Sequence, residues 1–180
     1  RSRAWFFPTS PRSPQVLIED LRLIAQLDGE PWGEETQIRF AKLLAEHRGH
    51  DVSHFKDPAL TARDRLTRAP KLLGLIHLPR RGRRGDRRRT AAGRVLLDAG
   101  DPTYLFQRQV AKVQFRSPLH DGYAFAEMSI RPMTALVRIL KDVASVSKEE
   151  LALFCLTTVT DADIPAAVGS IRICRDEAAR

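Results

Sequence analysis

The chain has 180 residues, enough for one large domain or two small ones with a core that folds without disulfide bonds or a structural metal ion. Hydrophobic residues make up 43% of it, but none of the apolar runs approaches the ~18–20 residues that cross a bilayer, which excludes a transmembrane helix. Its two cysteines are too few for a disulfide framework or a four-cysteine zinc site, so we expect a protein of the reducing cytoplasm. Since the apolar runs are short, we also expect no membrane partner.

Basic charge is concentrated in one segment. Lys and Arg total 30 against 22 Asp and Glu, a net charge of +8, and residues 80–94 hold eight arginines and one acid. The rest of the chain is therefore nearly neutral. A localised basic segment on a neutral body is typical of a protein that binds a polyanion. The alternative is a solvated loop that only improves solubility.

The first half of the chain predicts an extended arm followed by three helices. Residues 1–14 form the arm, because prolines are frequent there, and we expect its aromatic residues to anchor it to the core. Ser13 and Pro14 begin a helix that ends near Leu27. Residues 34–47 form the second helix. Asp57 as N-cap and Pro58 in the first turn begin the third, residues 58–73, which Pro70 should kink or end early.

Residues 74–97 carry the strongest organisational pattern. A short strand over residues 74–79 is followed by the arginine-rich segment and a return strand. Thr90 then begins a helix in which Gly93 allows close packing or a break in the backbone at the turn. This order is typical of the end of a winged-helix domain.

The second half predicts further helices. The helix that begins at Asp101-Pro102 should turn Tyr104, Leu105, Val110 and Val113 inward. The next should bury the face that carries Ile130, Met133, Leu136, Val137, Leu140 and Val143. Ser147 and Glu150 match a capping box that begins another helix, and Asp161 or Asp163 should cap the last one.

Together these elements predict a mainly α fold with a small β-hairpin wing, an α+β winged helix-turn-helix followed by a partial second helical subdomain. The predicted domains are the arm (1–14), a winged-helix DNA-recognition subdomain (15–100) and a helical subdomain that begins a second winged-helix-like unit (101–180).

An α-helix fits the major groove of B-DNA, and a helix-turn-helix places its second helix there. We therefore predict that residues 58–73 read double-stranded DNA and that residues 34–47 support them. The predicted base-reading residues are Thr61, Asp64, Arg65 and Arg68. The predicted backbone contacts are Arg63, Lys71, Arg80, Arg81, Arg83, Arg84, Arg87, Arg88, Arg89, Arg3 and Arg12. For Asp64 an ion pair with Arg68 is an equal alternative.

Four segments, residues 5–14, 35–41, 61–74 and 147–154, resemble the N-terminal region of AlwI-type restriction endonucleases. Members of that family are type IIS cutting or nicking enzymes of prokaryotes, much longer than this chain. Their recognition part is built of winged-helix-like subdomains, joined by a linker to a C-terminal nuclease. The resemblance implies that this chain is a monomeric recognition part, with a nuclease domain or subunit elsewhere.

A nuclease of that kind needs carboxylates and a lysine around a divalent metal ion. No Asp or Glu is followed two residues later by Lys in this sequence; Glu35-Thr36-Gln37 is the nearest variant. We therefore expect no catalysis and no cofactor in this chain, with Mg²⁺ needed only by an associated nuclease domain. His47, His50 and His54 have spacing that could bring two imidazoles to one ion, but we expect loop histidines rather than a metal site.

Two other function classes stay open. A winged-helix transcriptional regulator uses the same physics but normally dimerises on a two-fold site. A protein-interaction module would show no salt-dependent DNA binding. The recognised base sequence is not readable from the spacing of residues.

Overall fold

The computed structural model describes residues 4–5, 13–78, 88–115 and 128–179. The chain divides into two compact units, an N-terminal unit of residues 7–109 and a C-terminal unit that joins residues 1–6 to residues 110–180. The division lies inside a helix, α6 (Thr103–Lys112), and differs from the predicted boundary at residue 100.

Three helices build the core of the N-terminal unit: α1 (Pro14–Ala25), α2 (Glu34–His47) and α3 (Pro58–Thr67). Their predicted first residues are confirmed, and each predicted N-terminal proline lies in the first turn of its helix. The helices pack through side chains with no solvent exposure: Leu21, Ile24, Phe40, Leu44 and Leu66. Burial of such side chains contributes about 1.5–3 kcal/mol each.

The third helix is shorter than predicted. It ends at Thr67, and Arg68 leaves helical geometry with φ −89° and ψ −105° before a one-turn helix, α4 (Ala69–Leu72). Pro70 lies in the first turn of α4 and has no amide hydrogen to continue the helix before it. The predicted early break at Pro70 is confirmed.

A short antiparallel strand pair follows. Strand β1 (Ile76–His77) pairs with β2 (Arg88–Arg89), with Ile76 opposite Arg89. Helix α5 (Ala91–Asp98) comes directly after β2. Residues 79–87, with most of the predicted wing, lie outside the described part of the chain.

The C-terminal unit packs α7 (Pro132–Val143) against α9 (Ile164–Ala178). Between them lie the single turn α8 (Lys148–Glu150), a π-helical turn (Leu151–Cys155) and a 3-10 turn (Asp161–Asp163). The predicted capping box is confirmed, because Ser147 and Glu150 exchange both hydrogen bonds. Asp163 accepts hydrogen bonds from Val159 and Thr160 and stands at the start of α9.

Trp5 is buried in this unit. Its backbone N–H donates to Leu156 O at 2.8 Å, and its indole N–H donates to Thr158 O. The predicted anchoring of the arm by its aromatic residues holds for Trp5.

One arginine joins the elements of the C-terminal unit. Arg175 in α9 donates from Nε and Nη2 to the two carboxylate oxygens of Glu150, at 2.6 and 2.9 Å. It also donates to the backbone oxygens of Val143 and Ser145 at the end of α7. The hydrogen bonds from Arg175 and from the Ser147 backbone lower the pKa of Glu150 to about 2.

Two predicted core faces are correct only in part, since Val113, Ile130 and Val143 are buried as predicted. Tyr104 is 68% exposed, and α7 buries Pro132, Ala135, Ile139 and Val143 while Val137 is 55% exposed. The α7 pattern has apolar residues on more than one side, and contact with α9 selects the side that is buried.

Candidate DNA-binding interface

Helix α3, the predicted reading helix, is fixed at its start and along its inner face. The Asp57 carboxylate accepts a hydrogen bond from the Leu60 backbone N–H at 2.8 Å, which caps the helix as predicted. Ala62 and Leu66 are fully buried where α3 packs on α2. Thr61 lies near the start and donates its hydroxyl to the backbone oxygen of Asp57.

Asp64 and Arg68 form an ion pair on the outside of this helix. Arg68 Nη2 lies 2.7 Å from Asp64 Oδ2, with side chains 43% and 45% exposed. The alternative interpretation of these residues as an i,i+4 pair is therefore confirmed. Base contact by either residue stays a prediction, because an exposed pair of this kind contributes at most about 1 kcal/mol and can rearrange.

The structure turns Arg65 inward, although base reading requires its side chain on the outer flank of α3. Its side chain is only 15% exposed and points toward α1, where Nη1 lies 3.5 Å from Asp20 Oδ2. Burial lowers the pKa of Arg65, while Asp20 acts in the opposite direction. In this conformation the side chain of Arg65 packs inside the unit and not on the outer face of α3.

Asp20 is the functional candidate that the sequence analysis missed. It is 1% exposed, its Oδ1 lies 3.5 Å from Arg48 Nη2, and its Oδ2 accepts no hydrogen bond. Burial raises the pKa of Asp20 to about 6 even though Arg65 and Arg48 lower it. The signal was present in the sequence: Asp20 lies three residues after Leu17 and four before Ile24, on the apolar side of α1.

At the base of the predicted wing, the start of α5 packs closely against the backbone that precedes β1. The Thr90 hydroxyl accepts a hydrogen bond from the Gly93 backbone N–H and donates to Gly74 O at 2.6 Å. Gly93 lies so close to the Leu75 backbone that a Cβ there would be 2.1 Å from Leu75 O. The predicted helix start at Thr90 is confirmed, with Thr90 as the N-cap, and of the two roles predicted for Gly93 the structure shows close packing.

Arg89 is tied to this base. Its Nε lies 2.5 Å from Asp28 Oδ2, in the turn after α1, and its side chain is 24% exposed. Arg89 thus attaches β2 to the turn after α1, a role that differs from the predicted backbone contact with DNA.

The remaining predicted contacts divide into two groups. Arg63 is exposed on α3, Lys71 is half-buried in α4, and Arg88 lies in β2. The others lie outside the described residues: Arg3, Arg12, Arg80, Arg81, Arg83, Arg84 and Arg87.

A family model described as AlwI restriction endonuclease matches residues 72–180. The match covers more than half of the chain. The chain belongs to the AlwI restriction endonuclease family. The match includes the whole of β1, β2 and α5 and residues 147–154, one of the segments that carried the resemblance; residues 5–14 and 35–41 lie before it. No curated protein is significantly similar to the chain.

Membership of the AlwI family corrects the prediction that this chain is not an enzyme. The family is one of endonucleases, so the match points to a nuclease. The prediction rested on the missing Asp/Glu-x-Lys pattern, and it is wrong because a search for one linear spacing does not exclude catalysis. The family match implies DNA as the substrate and does not favour the transcriptional regulator.

Metal binding and membrane insertion find no support in the described part of this AlwI-family chain. Within residues 4–5, 13–78, 88–115 and 128–179, no three His, Cys, Asp or Glu side chains lie together as metal ligands. His50 and His54 instead stack on each other with ring centroids 4.5 Å apart. None of the described helices is long and apolar enough to span a bilayer.

Proposed function

We propose that the N-terminal unit binds double-stranded DNA as a winged helix within a restriction endonuclease. Support comes from the order α1, α2, α3, β1, β2 and from the packing of α3 on α2. The observation that carries the proposal is the strand pair β1–β2, because the arginine-rich segment of the sequence connects its two strands. A cationic hairpin directly after a helix-turn-helix can contact DNA beside the groove that the helix enters.

In this proposal α3 provides base contacts and the arginine-rich segment provides affinity. Arg68 can present its guanidinium to guanine O6 and N7, and Asp64 can accept from cytosine N4. Thr61 completes the base-contacting set. Arg63, Lys71 and the arginines between β1 and β2 contact phosphates, which supplies affinity without sequence information.

We further propose, from the resemblance to type IIS enzymes, that the chain binds an asymmetric site as a monomer. A short asymmetric motif should then be enriched when the protein selects ligands from random duplex DNA. A palindromic motif would contradict this part of the proposal, since two-fold sites reflect protein dimers.

The test of DNA binding compares three variants at several salt concentrations. Neutralising the wing arginines should weaken binding to all sequences about equally and reduce a log–log salt slope that we expect near −4 to −5 for about five phosphates. Arg68→Ala should relax specificity at one base pair, at a cost of about 1–3 kcal/mol. Arg22→Ala is the matched control, because Arg22 is an exposed arginine of α1 outside the proposed interface. Salt-independent binding, or its absence, would contradict the proposal.

A further inference from the structure

The Asp20 carboxylate lies between two arginines and makes only long contacts with them. Arg48 follows the last residue of α2, and Arg65 lies in α3. Both shortest nitrogen–oxygen distances are 3.5 Å, longer than the roughly 2.7–2.9 Å of a strong charge-assisted hydrogen bond. Asp20 Oδ2 is buried and accepts no hydrogen bond. A buried charge in this state is poorly compensated.

The position of the two arginines connects them with the proposed DNA contact. They belong to α2 and α3, the two helices that a helix-turn-helix places against the duplex. A guanidinium binds a phosphate in the same forked geometry as a carboxylate, and a DNA phosphate stays hydrated at its other oxygens. The side chain of Arg48 is already 33% exposed, whereas that of Arg65 is 15% exposed and has to turn outward.

We propose that Arg48 and Arg65 form a binding site for a DNA backbone phosphate, which Asp20 closes in the free protein and releases when the phosphate takes its place. Asp20 is then a positioning residue that acts through the two arginines. This inference rests on the proposed function, since it requires α2 and α3 to meet DNA. It assigns Arg65 to the backbone and adds Arg48, which the sequence analysis did not single out.

Proton uptake should accompany this exchange. The charged groups that face Asp20 are Glu19 on α1, His47 and Arg48 at the end of α2, and Arg65 on α3. Burial raises the pKa of Asp20 to about 6, and the two arginines lower it. When they turn to the phosphate, the pKa rises further and the carboxyl group takes a proton from solvent. DNA binding is therefore tighter at lower pH.

The test measures the affinity of the full chain for a short duplex of mixed sequence between about pH 5.5 and about pH 8. For the wild type we expect about a tenfold gain in affinity as pH falls, which corresponds to a shift of about one pKa unit. Asp20→Asn should remove most of this gain, because its amide does not titrate. Glu19→Gln should keep the wild-type profile. The comparison is repeated in a His47→Gln background, because His47 is one of the charged groups that face Asp20.

The outcomes separate this inference from the proposed function. Identical pH profiles for the wild type and Asp20→Asn, with salt-dependent binding intact, would overturn the inference alone. If the wild type shows no salt-dependent DNA binding, the proposed function is overturned. If Asp20→Asn does not fold, Arg48→Gln replaces it: weaker binding with a flatter pH profile supports the site, and an unchanged profile refutes it.

Discussion

At the scale of single residues, Gly93 shows how one missing side chain positions a helix. A Cβ at this position would lie 2.1 Å from Leu75 O, a distance that real atoms do not adopt. We expect Gly93→Ala to lower the free energy of unfolding by about 1–3 kcal/mol, because the backbone of α5 or of Leu75 must shift. Chemical denaturation monitored by circular dichroism measures the effect.

Gly169→Ala is the matched control, since Gly169 lies within α9 and a Cβ there has no atom within 4 Å. That substitution should stabilise the chain by about 0.5–1 kcal/mol, as expected for a helix interior. Equal effects of both substitutions would show that the close contact at Gly93 is not what fixes α5.

Asp20 makes stability depend on pH in an unusual direction for an acid. Its folded-state pKa is raised from 3.8 to about 6, so the folded state binds the proton more tightly than the unfolded chain. The contribution is full below about pH 4 and is lost as pH rises through 6, at about 3 kcal/mol in total. Denaturation of the wild type and Asp20→Asn at several pH values should show their stability difference changing by that amount.

Wild type should lose stability relative to Asp20→Asn as pH rises. Glu19→Gln controls for the neighbouring carboxylate, which is half-exposed and 3.8 Å from His47. A stability difference that is constant between about pH 4 and pH 7 would mean that Asp20 titrates normally.

At the scale of elements, Arg175 connects α7, α8 and α9. It donates to the Glu150 carboxylate and to two backbone oxygens at the end of α7, and lysine has no planar fork to reproduce this set. Arg175→Lys should therefore lower the thermal unfolding midpoint more than Arg172→Lys does. Arg172 is the matched control on the same helix, with one hydrogen bond to Asp142 O.

The pair of Arg175 and Glu150 should also make the stability of the C-terminal unit depend on pH in acid. The folded-state pKa of Glu150 is lowered to about 2, so its contribution is present above its ordinary value of 4.5 and is lost as pH falls toward 2. Arg175→Lys should be less sensitive to acid than the wild type in this range. Equal losses of stability on acidification would show that Glu150 does not depend on Arg175.

At the scale of the whole molecule, local patterns gave the sequence predictions that are confirmed. Asp57-Pro58, Thr90 with Gly93, and Ser147 with Glu150 each specify a helix start through contacts within a few residues. The position of Pro70 predicted the break after α3 for the same reason. These features need no knowledge of the rest of the fold.

Predictions that depended on distant partners were less reliable. Arg65 turns inward because a carboxylate on α1, forty-five positions earlier, lies beneath it. The buried face of α7 depends on α9, and Tyr104 was assigned inward from spacing alone. The non-enzyme prediction used a linear motif, but catalytic groups are brought together by the fold and are recognised by geometry rather than chain order.

The burial of Trp5 has a practical consequence. The chain has two tryptophans, and they fall in different compact units, Trp5 in the C-terminal one and Trp32 in the N-terminal one. Each indole is therefore a built-in fluorescent reporter for its own unit. A Trp32→Phe protein emits from the neighbourhood of Leu156 and Thr158 alone, and a Trp5→Phe protein from the part that carries α3. Titrating DNA into these two proteins would show which half of the chain senses the nucleic acid, without any attached label.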